Sequence, residues 1–137
     1  MAPSVVVDTG PLVALLDADE ANHAWVTEQL EALRPPLLTC EAVLTEATFL
    51  LARIGADPAL VIDLATRGLL AIVGLFDGDS DSIGRLMRRY SSVPMSLADA
   101  CLVRIVERTP NATLLTLDSD FRVYRQKGRR IIPLMAP

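Results

Sequence analysis

Apolar residues recur along this chain in two rhythms. Short unbroken runs, Val5-Val6-Val7, Leu37-Leu38 and Leu70-Ala71-Ile72-Val73, stop abruptly at polar, glycine or proline residues. Such runs suit strands buried on both faces of a parallel sheet. Between them, apolar positions repeat every three or four residues, as on an amphipathic helix. The first strand therefore ends at Asp8-Thr9-Gly10, and Pro11 to Leu16 forms a short helix with proline where helices accept it. After the polar turn Asp17 to Glu20, Asn22 caps a second helix through about Leu33, with Trp25, Val26 and Leu30 on one face. Pro35-Pro36 breaks that helix. Leu37-Leu38-Thr39 is the second strand, and Thr39 caps a helix from Cys40 to about Arg53 whose stripe is Val43, Leu44, Ala47, Leu50, Leu51 and Ile54.

Asp57-Pro58 opens a further helix that closes before Gly68, and Leu70 to Leu75 is the third strand. The turn Asp77-Gly78-Asp79-Ser80-Asp81 lacks the spaced glycine and terminal glutamate of a calcium loop, so it reads as helix-start chemistry. The helix after it carries Arg85, Arg88 and Arg89 and stops before Pro94. Ser96-Leu97-Ala98-Asp99 opens an apolar helix to about Glu107, with serine and aspartate at capping-box spacing. Ala112 to Leu117 is the fourth strand and runs straight into Asp118-Ser119-Asp120-Phe121. A basic run, Arg122 to Arg130, precedes an edge strand over Arg130 to Leu134. Strands alternating with helices require crossover connections. The predicted architecture is one domain over residues 1–137, a three-layer α/β/α sandwich around a mainly parallel central sheet.

Composition narrows the function classes. Hydrophobic residues make up 51% of the 137, which argues against disorder and supplies the core of a single domain. A net charge of -4 argues against a surface wholly adapted to nucleic acid, but not against a local basic groove. Cys40 and Cys101 sit in apolar segments without a framework pattern, pointing to a reducing compartment and core thiols, with a disulfide between them left open. His23 is the only histidine, so a metal site of several imidazoles within one chain is ruled out. Its place in a helical first turn reads as local hydrogen bonding or solvation. No signal-peptide pattern is present, and the apolar tract Leu69 to Phe76 is too short to span a bilayer. The expectation is a soluble cytoplasmic protein with no membrane partner.

Four acids share one topological address. Asp8 and Asp118 follow strands directly, Asp99 lies in the first turn of a helix, and Glu46 lies two turns into a helix that follows a strand. In a parallel sheet, the carboxyl ends of strands and the amino ends of the following helices meet at one edge, where ligands bind. Glu46 has Ala42, Val43, Phe49 and Leu50 as its helical neighbours, and Asp99 has Leu102 and Val103, so neither has a cation along its own helix. Each is also open to a bland reading, Asp8 and Asp99 as helix caps. Independent caps have no reason to converge. Clustered carboxylates stay ionised only with compensating positive charge, and an all-oxygen, histidine-poor set favours Mg²⁺ or Mn²⁺ over Zn²⁺. Such a site activates water and neutralises charge on phosphate oxygens. Without a Gly-rich nucleotide loop, the natural reaction is phosphodiester hydrolysis. Arg122, Arg125, Lys127, Arg129 and Arg130 offer contacts to a nucleic-acid backbone or form a solvated face, and Tyr124 among them stacks on a base or belongs to the core.

Asp8-Thr9 after a valine run, Glu46 in an apolar helix, Ser96-Leu97-Ala98-Asp99-Ala100, and Leu115-Thr116-Leu117-Asp118-Ser119-Asp120-Phe121 together resemble the PIN-domain ribonucleases, over essentially the whole chain. The likeness is strongest to stand-alone VapC-type toxins of toxin–antitoxin modules. It implies a Mg²⁺- or Mn²⁺-dependent endoribonuclease that acts on RNA, forms a homodimer and is inhibited by a cognate antitoxin protein. By position, Asp8, Glu46, Asp99 and Asp118 match the acidic quartet as catalytic and metal-binding residues. Thr116 matches a hydroxyl that supports the last acid, with Thr9, Asp120 and Ser96 in supporting places. Ser96 stands where relatives often carry another aspartate, and Asp120 competes with Asp118 as fourth acid. The non-enzymatic alternative is a PIN-like module that binds RNA or protein without turnover. Asp8-Thr9-Gly10 also matches the aspartic-protease triplet, but that chemistry needs an all-β scaffold, which this chain lacks.

Overall fold

β1 (Ser4–Val7) is the middle strand of the sheet, and its residues Val6 and Val7 are wholly buried. The computed structural model describes residues 3–137. On one side β1 pairs with β2 (Leu37–Thr39), which pairs with β3 (Leu70–Ile72). On the other it pairs with β4 (Ala112–Leu115), which carries the short edge strand β7 (Leu134–Met135). All four pairings are parallel, in the order β3-β2-β1-β4-β7. Val7 lies opposite Leu115 and Val6 opposite both Leu114 and Leu38, so the central strands present apolar side chains to both faces. Burial of each such valine or leucine stabilises the fold by about 1.5–3 kcal/mol.

The chain steps outward from β1 to β3, then crosses back to β4. This reversal puts a topological switch point between the carboxyl ends of β1 and β4. The outward steps use α1 (Thr9–Leu16), α2 (His23–Ala32), α3 (Glu41–Arg53) and α4 (Ala59–Thr66), and α1 packs on the other three. The return uses α5 (Phe76–Arg89) and α6 (Leu97–Arg108), which pack together, α6 lying on β1, β2 and β4. Right-handed crossovers place the two helix groups on opposite faces. The α/β/α architecture expected from the alternation is the one observed.

Local details differ in instructive ways. Thr39 is the last residue of β2 rather than a helix cap, because its Oγ1 donates to the Val7 carbonyl at 2.9 Å, and Cys40 is the N-cap of α3. In α3 only Val43, Ala47 and Leu51 are fully covered, whereas Leu50 and Ile54 emerge. β3 stops at Ile72, and α5 starts at Phe76, so Asp77 and Asp79 form its acidic first turn. The expected last strand is two elements. Arg130–Ile131 (β6) forms an antiparallel hairpin with Arg125–Gln126 (β5) outside the main sheet, and Leu134–Met135 alone joins it. The hairpin turns through Lys127 at φ 49° and Gly128 at φ 80°, a left-handed pair that glycine adopts without strain. Arg89 Nη2 donates to the Gly128 carbonyl at 2.6 Å and ties the turn to α5. Cys40 and Cys101 are buried free thiols. His23 Nδ1 donates to the Ala14 carbonyl at 2.6 Å, which satisfies it within the fold.

Candidate active site

At the switch point β1 gives way to α1 with no intervening loop. Asp8 stays extended (φ -85°, ψ 172°) and caps α1, its Oδ1 accepting from the Thr9 amide at 2.7 Å. Its Oδ2 accepts from Thr116 Oγ1, also at 2.7 Å. That hydroxyl oxygen in turn accepts from the Asp118 amide at 3.0 Å. Thr116 is wholly buried just past β4, so one hydroxyl fixes both Asp8 and the chain entering Asp118. Asp8 is thus a helix cap and a cleft acid at once. Gly10 permits the approach: a Cβ there would come within 3.3 Å of the Leu117 side chain.

Glu46, half-buried on α3, finds the partner its own helix lacks: Thr9 Oγ1 donates to its Oε2 at 2.9 Å. Asp99 sits in a complete capping box, accepting from the Ser96 amide at 3.2 Å while its own amide donates to Ser96 Oγ at 3.0 Å. A further donor, the Tyr124 hydroxyl, reaches the same Asp99 Oδ2 at 3.2 Å. Asp118 caps a short 3-10 turn (Ser119–Arg122), its Oδ1 accepting from the Asp120 amide at 2.9 Å. Asp8, Glu46, Asp99 and Asp118 line one open cleft of about 460 Å³, walled by Leu50 and Leu117. Ser96, Thr116 and Asp120 are not on the cleft wall and act on its acids from behind.

The electrostatics are those of buried carboxylates, with like-charged neighbours adding to the effect. Burial pushes the Asp8 carboxyl up to about 6, against the hydrogen bonds from Thr116 and Thr9, and the charges of Asp99 and Asp118 push the same way. Asp99 is also raised, chiefly by burial, with Asp118 and Glu46 adding repulsion. Among the described residues no arginine or lysine forms an ion pair with any of the four. One oxygen each of Glu46, Asp99 and Asp118 accepts no hydrogen bond from a described residue. The donor set is wholly carboxylate, which suits a hard divalent cation. Among the described residues no three acidic, histidine or cysteine groups converge tightly enough to enclose an ion directly. Mg²⁺ needs no such cage, because it keeps several waters and uses one or two carboxylates.

The basic run divides. Arg122 is exposed and lines a recess of about 220 Å³ that shares Leu117, Asp118 and Ser119 with the acid cleft. Arg125 Nη1 donates to the carbonyls of Arg122, Val123 and Tyr124 at 2.7–3.2 Å, turning the side chain back on its own backbone. The Lys127 amide donates to Glu107 in the hairpin turn, and exposed Arg129 and Arg130 lie beside it, off the cleft wall. Tyr124 is core, not a stacking platform: it is wholly buried. Its contact with Asp99, and the apolar walls Leu50 and Leu117, are absent from the sequence reading. Tyr124 lies 25 residues from Asp99, beyond any helical or strand periodicity.

Comparison with known proteins places this geometry in context. The family model of the PIN domain matches residues 5–127. Ribonuclease VapC26 of Mycobacterium tuberculosis (strain ATCC 25618 / H37Rv) is 30% identical over 117 residues, spanning 83% of this chain and 86% of that protein. The crystal structure of Mycobacterium tuberculosis VapC20, a sarcin-ricin loop cleaving toxin, superposes with a TM-score of 0.79 at 22% identity, covering 93% of this chain and 99% of that one. At that identity the second likeness speaks to the fold.

Proposed function

The chain belongs to the PIN-domain family, among its VapC-type ribonuclease toxins, and we propose that it is a divalent-metal-dependent endoribonuclease acting through Asp8, Glu46, Asp99 and Asp118. The observation that carries the reading is Asp8, a buried carboxylate held by neutral donors, facing two further acids and no cation. Left as it is, the cleft repels a polyanion. Held there, Mg²⁺ or Mn²⁺ would supply the missing positive charge and the chemistry of water activation and charge neutralisation at phosphate oxygens. Glu46, Asp99 and Asp118 would each offer it an oxygen that the fold leaves without a hydrogen bond. Thr9 serves two acids, its amide on Asp8 and its hydroxyl on Glu46, and so fixes the spacing across the cleft. Thr116 does the same for Asp8 and Asp118. We assign Asp118 rather than Asp120 as fourth acid, because Asp118 faces the cleft and Asp120 serves it through its amide. Arg122, one recess away, is the cation of the basic run best placed to meet an RNA phosphate.

The same reading takes in the partners. Exposed Phe49, Ile54 and Phe76 supply apolar surface for a second copy of the chain or for a cognate antitoxin. Among the described residues no helix is long and apolar enough to cross a membrane. The proposed site of action is the cytoplasm, with RNA as substrate. The test is incubation of the purified protein with a mixed RNA pool, with Mn²⁺, Mg²⁺ or chelator, beside Asp8→Asn. Metal-dependent cleavage at internal positions, abolished in the variant, is expected. RNA binding without cleavage under every metal condition would favour a binding module instead.

A further inference from the structure

We propose that Tyr124 is a positioning residue of the nuclease site, its hydroxyl holding the Asp99 carboxylate so that the second oxygen is left for the cleft. The proposal rests on the reading of the four acids as a cation-binding site. Tyr124 follows two exposed residues, Arg122 and Val123, yet is itself wholly buried. Its ring is gripped edge-to-face by Tyr90 at 5.1 Å and Phe121 at 5.2 Å. Packing alone would be served as well by phenylalanine, because a buried phenol is tolerated only where its oxygen finds a partner. Here the partner is a cleft acid: the hydroxyl donates to Asp99 Oδ2 at 3.2 Å.

Asp99 Oδ2 also accepts from the Ser96 amide, so two donors from different parts of the chain hold one oxygen. Ser96 sits on the same helix and moves with Asp99. Tyr124 comes from the segment after β4 and fixes the carboxylate against the body of the domain. That segment is itself pinned: the Arg125 amide donates to the Tyr90 hydroxyl at 3.0 Å, and the Arg125 guanidinium closes on the three preceding carbonyls. A phenol, with an ordinary pKa of about 10, is protonated at neutral pH, so the hydroxyl is the donor in this contact. A partner that orients a metal ligand typically contributes 10–100-fold to metal affinity or activity.

Tyr124→Phe keeps the ring and removes only the donor. Mn²⁺ binding to the RNA-free protein, followed by electron paramagnetic resonance, is expected to weaken about tenfold. In steady-state cleavage, kcat should fall by a similar factor with KM for RNA unchanged, and the melting temperature of the metal-free protein should move by only a few degrees. In an Asp99→Asn background the same change should leave Mn²⁺ affinity unaltered, because the residue it acts through is already disabled. If Tyr124→Phe matches wild type within twofold in Mn²⁺ affinity and kcat, Tyr124 only packs and the proposal falls, while the acid site stands. If wild-type protein itself neither binds Mn²⁺ nor cuts RNA, the reading of the acids fails and takes this proposal with it. An equal Mn²⁺ defect from Tyr124→Phe in the Asp99→Asn background would also overturn it, by showing action on the domain at large.

Discussion

Asp8 and Asp79 are buried almost equally, 5% and 7% exposed, yet the fold treats them in opposite ways. Asp79, in the first turn of α5, is clasped by Arg104 Nε and Arg108 Nη1 from α6, each at 2.7 Å. Its charge is answered inside the molecule, and it fastens two helices together. Asp8 receives only neutral donors and faces Asp99 and Asp118. Burial alone therefore does not mark a functional acid. What separates the two is whether the chain supplies the counter-charge: where it does, the acid is a fastener, and where it does not, as at Asp8, the charge is left for the proposed cation to answer.

The comparison is broken most directly by exchanging the treatment of the two acids. Asp8→Asn should lower metal-dependent RNA cleavage by about a thousandfold, since a bound cation contributes several kcal/mol to the transition state, while leaving the circular-dichroism spectrum intact. Replacing Arg104 and Arg108 together by methionine should do the reverse. It leaves Asp79 buried and unpaired, costs about 3–5 kcal/mol in urea unfolding, and spares the activity of the molecules that remain folded. Equal activity losses from the two changes would erase the distinction.

Stability against pH sharpens the contrast. The Asp8 pKa is raised from 3.8 to about 6, so the folded state binds more protons than the unfolded state between those values. The group's contribution to stability therefore falls as pH rises through that window, by about 3 kcal/mol, and the loss is complete above it. Metal-free wild type should lose stability relative to Asp8→Asn between pH 4 and pH 7, and Mn²⁺ should restore it only in wild type. A difference between the two proteins that does not change with pH would show that burial does not hold the Asp8 carboxyl above its ordinary range. Thr116→Val removes the donor to Asp8 and the acceptor for the Asp118 amide. It should reduce Mn²⁺ affinity or kcat by 10–100-fold, with Thr116→Ser retaining most of either. The smallest effect is expected at Arg122→Ala, where the slope of log affinity for RNA against log salt should drop by about one, while Arg125→Ala leaves it unchanged.

Much of this was legible in the sequence, and the reason is local. Val5 to Val7 and Ala112 to Leu117 read as strands from their short apolar runs, the second ending in the fold at Leu115, and an acid just past such a strand in an alternating chain is assigned to the sheet's carboxyl edge. Glu46 and Asp99 followed because their helical neighbours could not pair with them. What stayed hidden depends on contacts between distant segments. Asp79 read as helix-start chemistry, since Arg104 and Arg108 lie 25 and 29 residues further on. The basic run read as one feature because charge is visible in sequence and a hairpin turn is not. In the fold Arg125 turns one guanidinium nitrogen back onto its own backbone, and Arg122 alone of the five lines the recess beside Asp118. The split of the last strand has the same origin: Arg130-Ile131 and Leu134-Met135 lie in one extended run, and the different partners they pair with separate them.

The claim at the centre is that Asp8 is buried without a counter-charge because it belongs to a cation site. Electron paramagnetic resonance titration of Mn²⁺ into RNA-free wild type, Asp8→Asn and Asp79→Asn tests it without reference to any substrate. Saturable binding in wild type and Asp79→Asn, lost in Asp8→Asn, is the predicted result. Binding that survives in Asp8→Asn as strongly as in wild type would contradict it.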